Sequence, residues 1–158
     1  MSGLELVFER DFEFSPAIVW DALIDPALVE GWLAQARIDP VQGGLYSLRW
    51  MTRPGLPVVP GTIAELRAPE VLQIARQGTG SIRFVLTALE GGSRGTSTRL
   101  RVELHAAVEP VFAARVTADW MTALDQLDDL LHGHPVDWST WQADRNEAWT
   151  RHRDDAAG

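Results

Sequence analysis

Thr96-Ser-Thr-Arg-Leu-Arg-Val-Glu-Leu-His-Ala-Ala107 runs, after Val108, into Glu109-Pro-Val-Phe-Ala-Ala-Arg-Val-Thr-Ala-Asp-Trp120 and on through Met121-Thr-Ala-Leu-Asp-Gln-Leu-Asp-Asp-Leu-Leu-His132. The first part alternates: Thr98, Leu100, Val102 and Leu104 share one parity, and Arg99, Arg101, Glu103 and His105 the other. Period two over that length predicts a half-buried strand. The second part changes period. Val116, Trp120, Ala123, Leu124, Leu127 and Leu131 recur at spacings of three and four, while Asp119, Asp125, Asp128 and Asp129 lie mostly off that stripe. This predicts a long amphipathic helix over about 111–132, opened by Glu109-Pro110 and ended by Gly133 and Pro135. A sheet with one apolar face needs cover, and this helix is the available lid.

Upstream, the same two periods set the rest of the order. Leu4, Leu6, Phe8, Phe12 and Phe14 alternate with Glu5, Glu9, Asp11 and Glu13, which predicts a first strand over 4–14. Ser15-Pro16 and Asp25-Pro26 each place a capping residue before a proline at the first helical position. They predict two short helices: one to about Ile24 with Ile18, Val19, Ala22 and Leu23 inward, and one from Ala27 to about Ala34. Arg37–Pro40 reads as irregular. Strands follow at 45–51, 58–67, 71–77 and 81–89, separated by turn-forming Gly and Pro clusters. The expected architecture is α+β: a curved six-stranded antiparallel sheet around a long C-terminal helix, with two short helices after the first strand. Residues 1–132 form one domain. Residues 133–158 form a tail, partly helical, in which Trp138, Trp141, Arg145 and Trp149 make a stripe that packs on the domain or on a partner subunit.

Composition excludes much chemistry. The 158 residues contain no cysteine, and 14 basic against 22 acidic residues give a formal charge of −8. Every basic residue other than histidine is arginine. Disulfides, thiolate metal sites, cysteine nucleophiles and Schiff bases are therefore absent. The acidic balance argues against nucleic acid as a partner. Charges at Glu5, Glu9, Arg10 and Asp11 interrupt any leader-like run, and no uncharged stretch spans a bilayer. A cytoplasmic location without membrane insertion is the expectation.

From residue 5 to 132 the sequence resembles the SRPBCC or START-type superfamily, with the birch-pollen-allergen helix-grip fold. Within it, the chain is similar to single-domain bacterial proteins like the heat-shock protein 90 ATPase activator. The residues carrying the likeness are Phe14-Ser-Pro-Ala-Ile-Val-Trp20, Trp32, Gly43-Gly44-Leu-Tyr-Ser-Leu, Gly61-Thr-Ile-Ala-Glu65-Leu, Ala68-Pro-Glu-Val-Leu72, Gly95-Thr-Ser-Thr-Arg-Leu100, and Asp119-Trp120 with Leu124 and Leu127. The resemblance implies a hydrophobic cavity between sheet and long helix, in a superfamily ranging from lipid carriers to polyketide cyclases. Two positions depart from its pattern. Arg76 stands where an aromatic residue is common, and Asp119 where glycine usually precedes the tryptophan.

The candidate site follows from inward parity. Tyr46, Leu48, Trp50, Ile74, Phe84, Trp120 and Leu124 border the expected cavity. Arg76, sharing parity with Leu72 and Ile74, would meet the carboxylate or carbonyl of an apolar ligand, with Glu65 orienting it. No catalytic residue, metal or cofactor is assigned. Gly91-Gly-Ser93-Arg-Gly95 matches the nucleophile-elbow pattern, but that motif needs a strand-to-helix turn and the residues after it alternate as a strand. His132 and His134 flank a helix end, too few ligands for a metal. The expected function is noncatalytic binding of a small hydrophobic molecule. The alternatives are a cyclase or hydrolase using Glu65 as acid or base, or regulation of a heat-shock protein 90 chaperone. A homodimer and a chaperone are the further expected partners.

Overall fold

The computed structural model describes residues 3–49, 59–76, 80–91, 95–106 and 109–157. The chain begins with strand β1 (Leu4–Phe12), then helices α1 (Pro16–Ile24) and α2 (Pro26–Glu30). Six strands follow: β2 (Gln35–Ile38), β3 (Leu45–Arg49), β4 (Val59–Arg67), β5 (Val71–Arg76), β6 (Gly80–Glu90) and β7 (Thr96–Ala106). A single 3-10 turn at Pro110–Phe112 leads into α3 (Ala113–Leu131), and a second at Trp138–Thr140 into α4 (Trp141–Ala157). The sheet is α+β helix-grip in plan: seven antiparallel strands in the order β1-β7-β6-β5-β4-β3-β2, curled around α3.

Seven strands replace the six expected. The addition is β2, four residues from the stretch read as the end of a helix and an irregular segment. It pairs antiparallel with β3 from Gln35↔Arg49 to Ile38↔Tyr46. α2 stops at Glu30, so Trp32 and Leu33 are buried from a turn rather than from a helix. On α1 the buried residues are Val19, Trp20, Ala22 and Leu23, whereas Ile18 is 44% exposed and faces away from the core. The helix is apolar almost all round, so its period did not identify the inner face. The last residues of the predicted strands 45–51, 71–77 and 96–107, the start of 58–67, and Ser93 lie outside the described residues. The strands on either side of Ser93 pair as a hairpin, closing on Glu90↔Thr96.

Register aligns the core in rows across the sheet. Leu66, Leu72, Phe84, Val102 and Phe8 form one row, and Ile63, Ile74, Ile82, Leu104 and Leu6 the next. α3 lays Trp120, Ala123, Leu124 and Leu127 on these rows, with the Phe84 and Trp120 ring centroids 6.2 Å apart. Removing such side chains from water stabilises the fold by about 1.5–3 kcal/mol each. Gly133, at φ +89°, takes the left-handed position that ends α3, and its N–H donates to the Leu130 carbonyl.

The back of α3 is covered by the tail. Trp138 donates its indole N–H to the Glu30 carbonyl, Trp141 to Oε1 of Gln126, and Trp149 to Oδ1 of Asp119. Arg145 pairs with Asp129 at 2.6 Å, and His152 Nε2 lies 2.8 Å from Asp125. The stripe read in the tail is therefore turned onto the chain's own domain. Among the described residues no helix is long and apolar enough to cross a membrane.

Gln126 is the centre of this arrangement. It is buried, donates through Nε2 to the Trp32 carbonyl at 2.7 Å, and accepts from Trp141 at 2.6 Å. Gln126→Ala leaves a buried carbonyl and an indole N–H without partners. It is expected to lower unfolding free energy by about 2–3 kcal/mol, read as a fall in the urea midpoint at unchanged slope.

Candidate functional site

Between sheet and α3 pack the side chains that alternation sends inward. Tyr46 and Leu48 arrive from β3, Ile74 from β5, Phe84 from β6, and Trp120 and Leu124 from α3. All six belong to one cluster of buried side chains. Trp50, the seventh apolar candidate, lies outside the described residues. The Tyr46 hydroxyl donates to the Leu23 carbonyl at 2.7 Å, and burial pushes its pKa far above the ordinary phenol value. It is a neutral, already engaged group.

Arg76 shares the inner parity of Leu72 and Ile74. It ends β5 in a row reading Ile38, Tyr46, Gly61, Arg76, Gly80, Ala106 and Leu4. Glycine lies on each side of it. At Gly61 an added Cβ would sit 2.7 Å from both the Ile74 side chain and the Tyr46 carbonyl. At Gly80, with φ +105°, it would fall 1.7 Å from the His105 carbonyl. At both glycines the place of a side chain is already taken by neighbouring atoms, so only glycine fits on either side of Arg76. The guanidinium is partly buried, and desolvation lowers its pKa from the ordinary arginine value.

Glu65 does not accompany it. A bulge between Ile63 and Glu65 shifts the β4–β5 register, so Glu65 pairs with Gln73 rather than continuing the parity of Ile63. The row Glu65, Gln73, Arg83, Glu103 and Val7 faces away from α3. There the Glu65 carboxylate accepts from Arg83 at 2.9 Å and from Arg67 at 2.8 Å. These hydrogen bonds, Arg83 first, hold its pKa below the ordinary carboxylate value. The expected orientation of Arg76 by Glu65 is corrected accordingly: one extra residue in β4 puts the carboxylate on the opposite face.

A second charge does enter the inner rows. Arg10 shares parity with Phe8 and Phe12 on β1 and reaches Asp125 of α3 at 2.5 Å. The parity was visible in the sequence, but an arginine between phenylalanines reads as a break in the pattern. Gln126 and Asp119 also emerge only from the fold, since their donors lie in the tail. His105 faces outward beside Glu5, and His132 at the end of α3 packs edge-on to Phe14 with ring centroids 5.0 Å apart. Among the described residues no three acidic or histidine side chains converge as a metal site would require.

Residues 13–132 match the model of the family described as Activator of Hsp90 ATPase homolog 1-like protein. The chain belongs to this family. It thereby falls within the SRPBCC superfamily. No curated protein matches the chain by sequence. Among solved structures it is similar to CalU16 from Micromonospora echinospora, with 22% identity and a TM-score of 0.69 over 97% of this chain and 86% of that one. It is also similar to MLL2253 from Mesorhizobium loti, with 22% identity and a TM-score of 0.68 over 84% of this chain and 100% of that one. DynU16, of the dynemicin biosynthetic locus, shares 17% identity at a TM-score of 0.65, with 83% of this chain covering 48% of that one. At these identities the likeness is one of fold.

The Glu65 pairs give a pH-dependent test of its placement. A carboxylate whose folded pKa is depressed adds stability above its unfolded value, ordinarily 4.5, and loses it as pH falls toward the folded one. Glu65→Gln removes that contribution. The difference in melting temperature between wild type and Glu65→Gln is therefore expected to be largest near about pH 6 and to close toward about pH 3.

Proposed function

We propose that the chain binds a small apolar molecule between the curled sheet and α3, as a carrier or sensor rather than a catalyst. One observation carries this reading: the polar inventory of the inner face. Among the described residues its rows hold aliphatic and aromatic side chains, the Tyr46 and Thr98 hydroxyls, each committed to a backbone carbonyl, and two arginines. Arg10 is tied to Asp125, and Arg76 brings the second positive charge to the inner parity at the end of β5. Arginine stays protonated at neutral pH, so it can hold a carboxylate or polarise a carbonyl but is a poor proton carrier. Apolar burial with one or two oriented polar groups is the usual composition of a ligand site.

The cyclase or hydrolase alternative used Glu65 as acid or base. That carboxylate faces outward and is held ionised by two arginines, so it supports this alternative no further. The likeness to a protein of a biosynthetic locus makes small natural products, alongside fatty acids, the first ligands to try. Regulation of a chaperone rests on the family's description alone.

Titration with medium-chain fatty acids and with aromatic natural products is expected to change the intrinsic fluorescence. Trp120→Phe should remove most of that change. Arg76→Met should weaken carboxylate ligands about tenfold (roughly 1.4 kcal/mol) while sparing their neutral esters. A full panel without any response from the wild-type protein would overturn the reading.

A further inference from the structure

The opposite face of the sheet carries a second concavity. On β2 and β3 the register sets Gln35 against Arg49 and Arg37 against Ser47, and Ser47 in turn opposes Pro60 of β4. All five lie on the face turned away from α3, because their neighbours Ala36, Tyr46 and Leu48 point inward. Together with Leu45 and the edge of Ala36 they enclose an open groove of about 660 Å³. That is within the roughly 300–1,000 Å³ range of small-molecule sites.

Charge makes this groove unusual for this chain. The protein carries −8 overall, and seven of its arginines pair with carboxylates: Arg10, Arg67, Arg83, Arg99, Arg101, Arg145 and Arg153. Neither Arg37 nor Arg49 has an ion pair among the described residues, and no acidic side chain lines the groove. Protection of a sheet edge explains a charge on β2, the terminal strand. It does not explain Arg49, because β3 is paired on both sides.

We propose that this outer groove binds an organic anion with a flat apolar body. Arg37 and Arg49 present forked donors suited to a carboxylate, phosphate or sulfonate. The Gln35 amide and Ser47 hydroxyl stand between and beside them. Leu45, 42% exposed, supplies the apolar wall with Pro60. The site is separate from the inner face, and its occupancy does not depend on the ligand proposed there.

Calorimetric titration of the full chain with 1-naphthoate, 1-naphthyl phosphate and neutral 1-naphthol tests this. Both anions are expected to bind the wild-type protein at least tenfold more tightly than naphthol, and the stronger of the two names the head group. R37Q/R49Q should lose at least tenfold in anion affinity, whereas R115Q/R151Q, with the same change in net charge on exposed helical residues, should lose less than twofold. Amide shifts in the bound protein should concentrate at residues 35–37 and 45–49. Equal binding of naphthol, full affinity in R37Q/R49Q, shifts centred on Ile74 and Trp120, or no anion binding at all would each overturn the proposal.

Discussion

A curled antiparallel sheet with apolar rows on its inner face cannot remain in contact with water, and α3 is the element that covers them. The helix is buried on two sides. Trp120, Ala123, Leu124 and Leu127 meet the sheet, while Ala118, Thr122 and Gln126 are buried on the side nearer the tail. Asp119, Asp125 and Asp129 then receive the indole, imidazole and guanidinium donors of α4. The acidic stripe of α3 is thus the acceptor half of an interface. Gln126 joins the layers, since its amide bonds both the turn after α2 and the tail. Removing one partner of such a buried pair costs more than the bond itself contributes, because the other is left unsatisfied.

The elements most legible in the sequence were those long enough to show their period. β1, β6 and β7 alternate over nine or eleven residues, and their inner parities match the buried rows. β2 has four residues with no fully buried position, so it offers no period to read; partnership with β3 makes it a strand. The inner residues of the candidate site followed from the same parity. Glu65 is the instructive failure. Parity counted from Ile63 places it inside, but the bulge adds one residue and reverses its face. Nothing in Ile63-Ala-Glu65 signals that insertion, since it arises from how β4 must bend to stay paired.

The tail and the departure at Asp119 account for one another. Read alone, an aspartate in place of glycine before Trp120 had no reason, and three tryptophans beyond the family match had two destinations open to them, the domain or a partner subunit. In the fold, Trp149 donates to Asp119 at 2.8 Å, and Trp141 and Arg145 dock on Gln126 and Asp129. The family model stops at residue 132, whereas the structural likeness to CalU16 extends over 97% of the chain. Coverage of the back of α3 is therefore compatible with the helix-grip plan rather than an appendage to it.

The two faces of the sheet divide the chemistry. Outside, Glu65, Gln73, Arg83 and Glu103 form a polar ladder across four strands, and Asp11 pairs with Arg99 further along. These solvent-screened pairs contribute little each, but they satisfy the charges that keep the outer face in water. Inside, Arg10 from β1 and Arg76 from β5 bring charge to two different rows. Arg10 is fixed to α3 through Asp125, so it ties helix to sheet. Arg76 stands between Gly61 and Gly80 in its row, where neighbouring atoms already fill the place of a side chain. Because all the chain's strong bases are arginines, the inner face can attract and orient negative charge but has no arginine able to give up a proton near neutral pH.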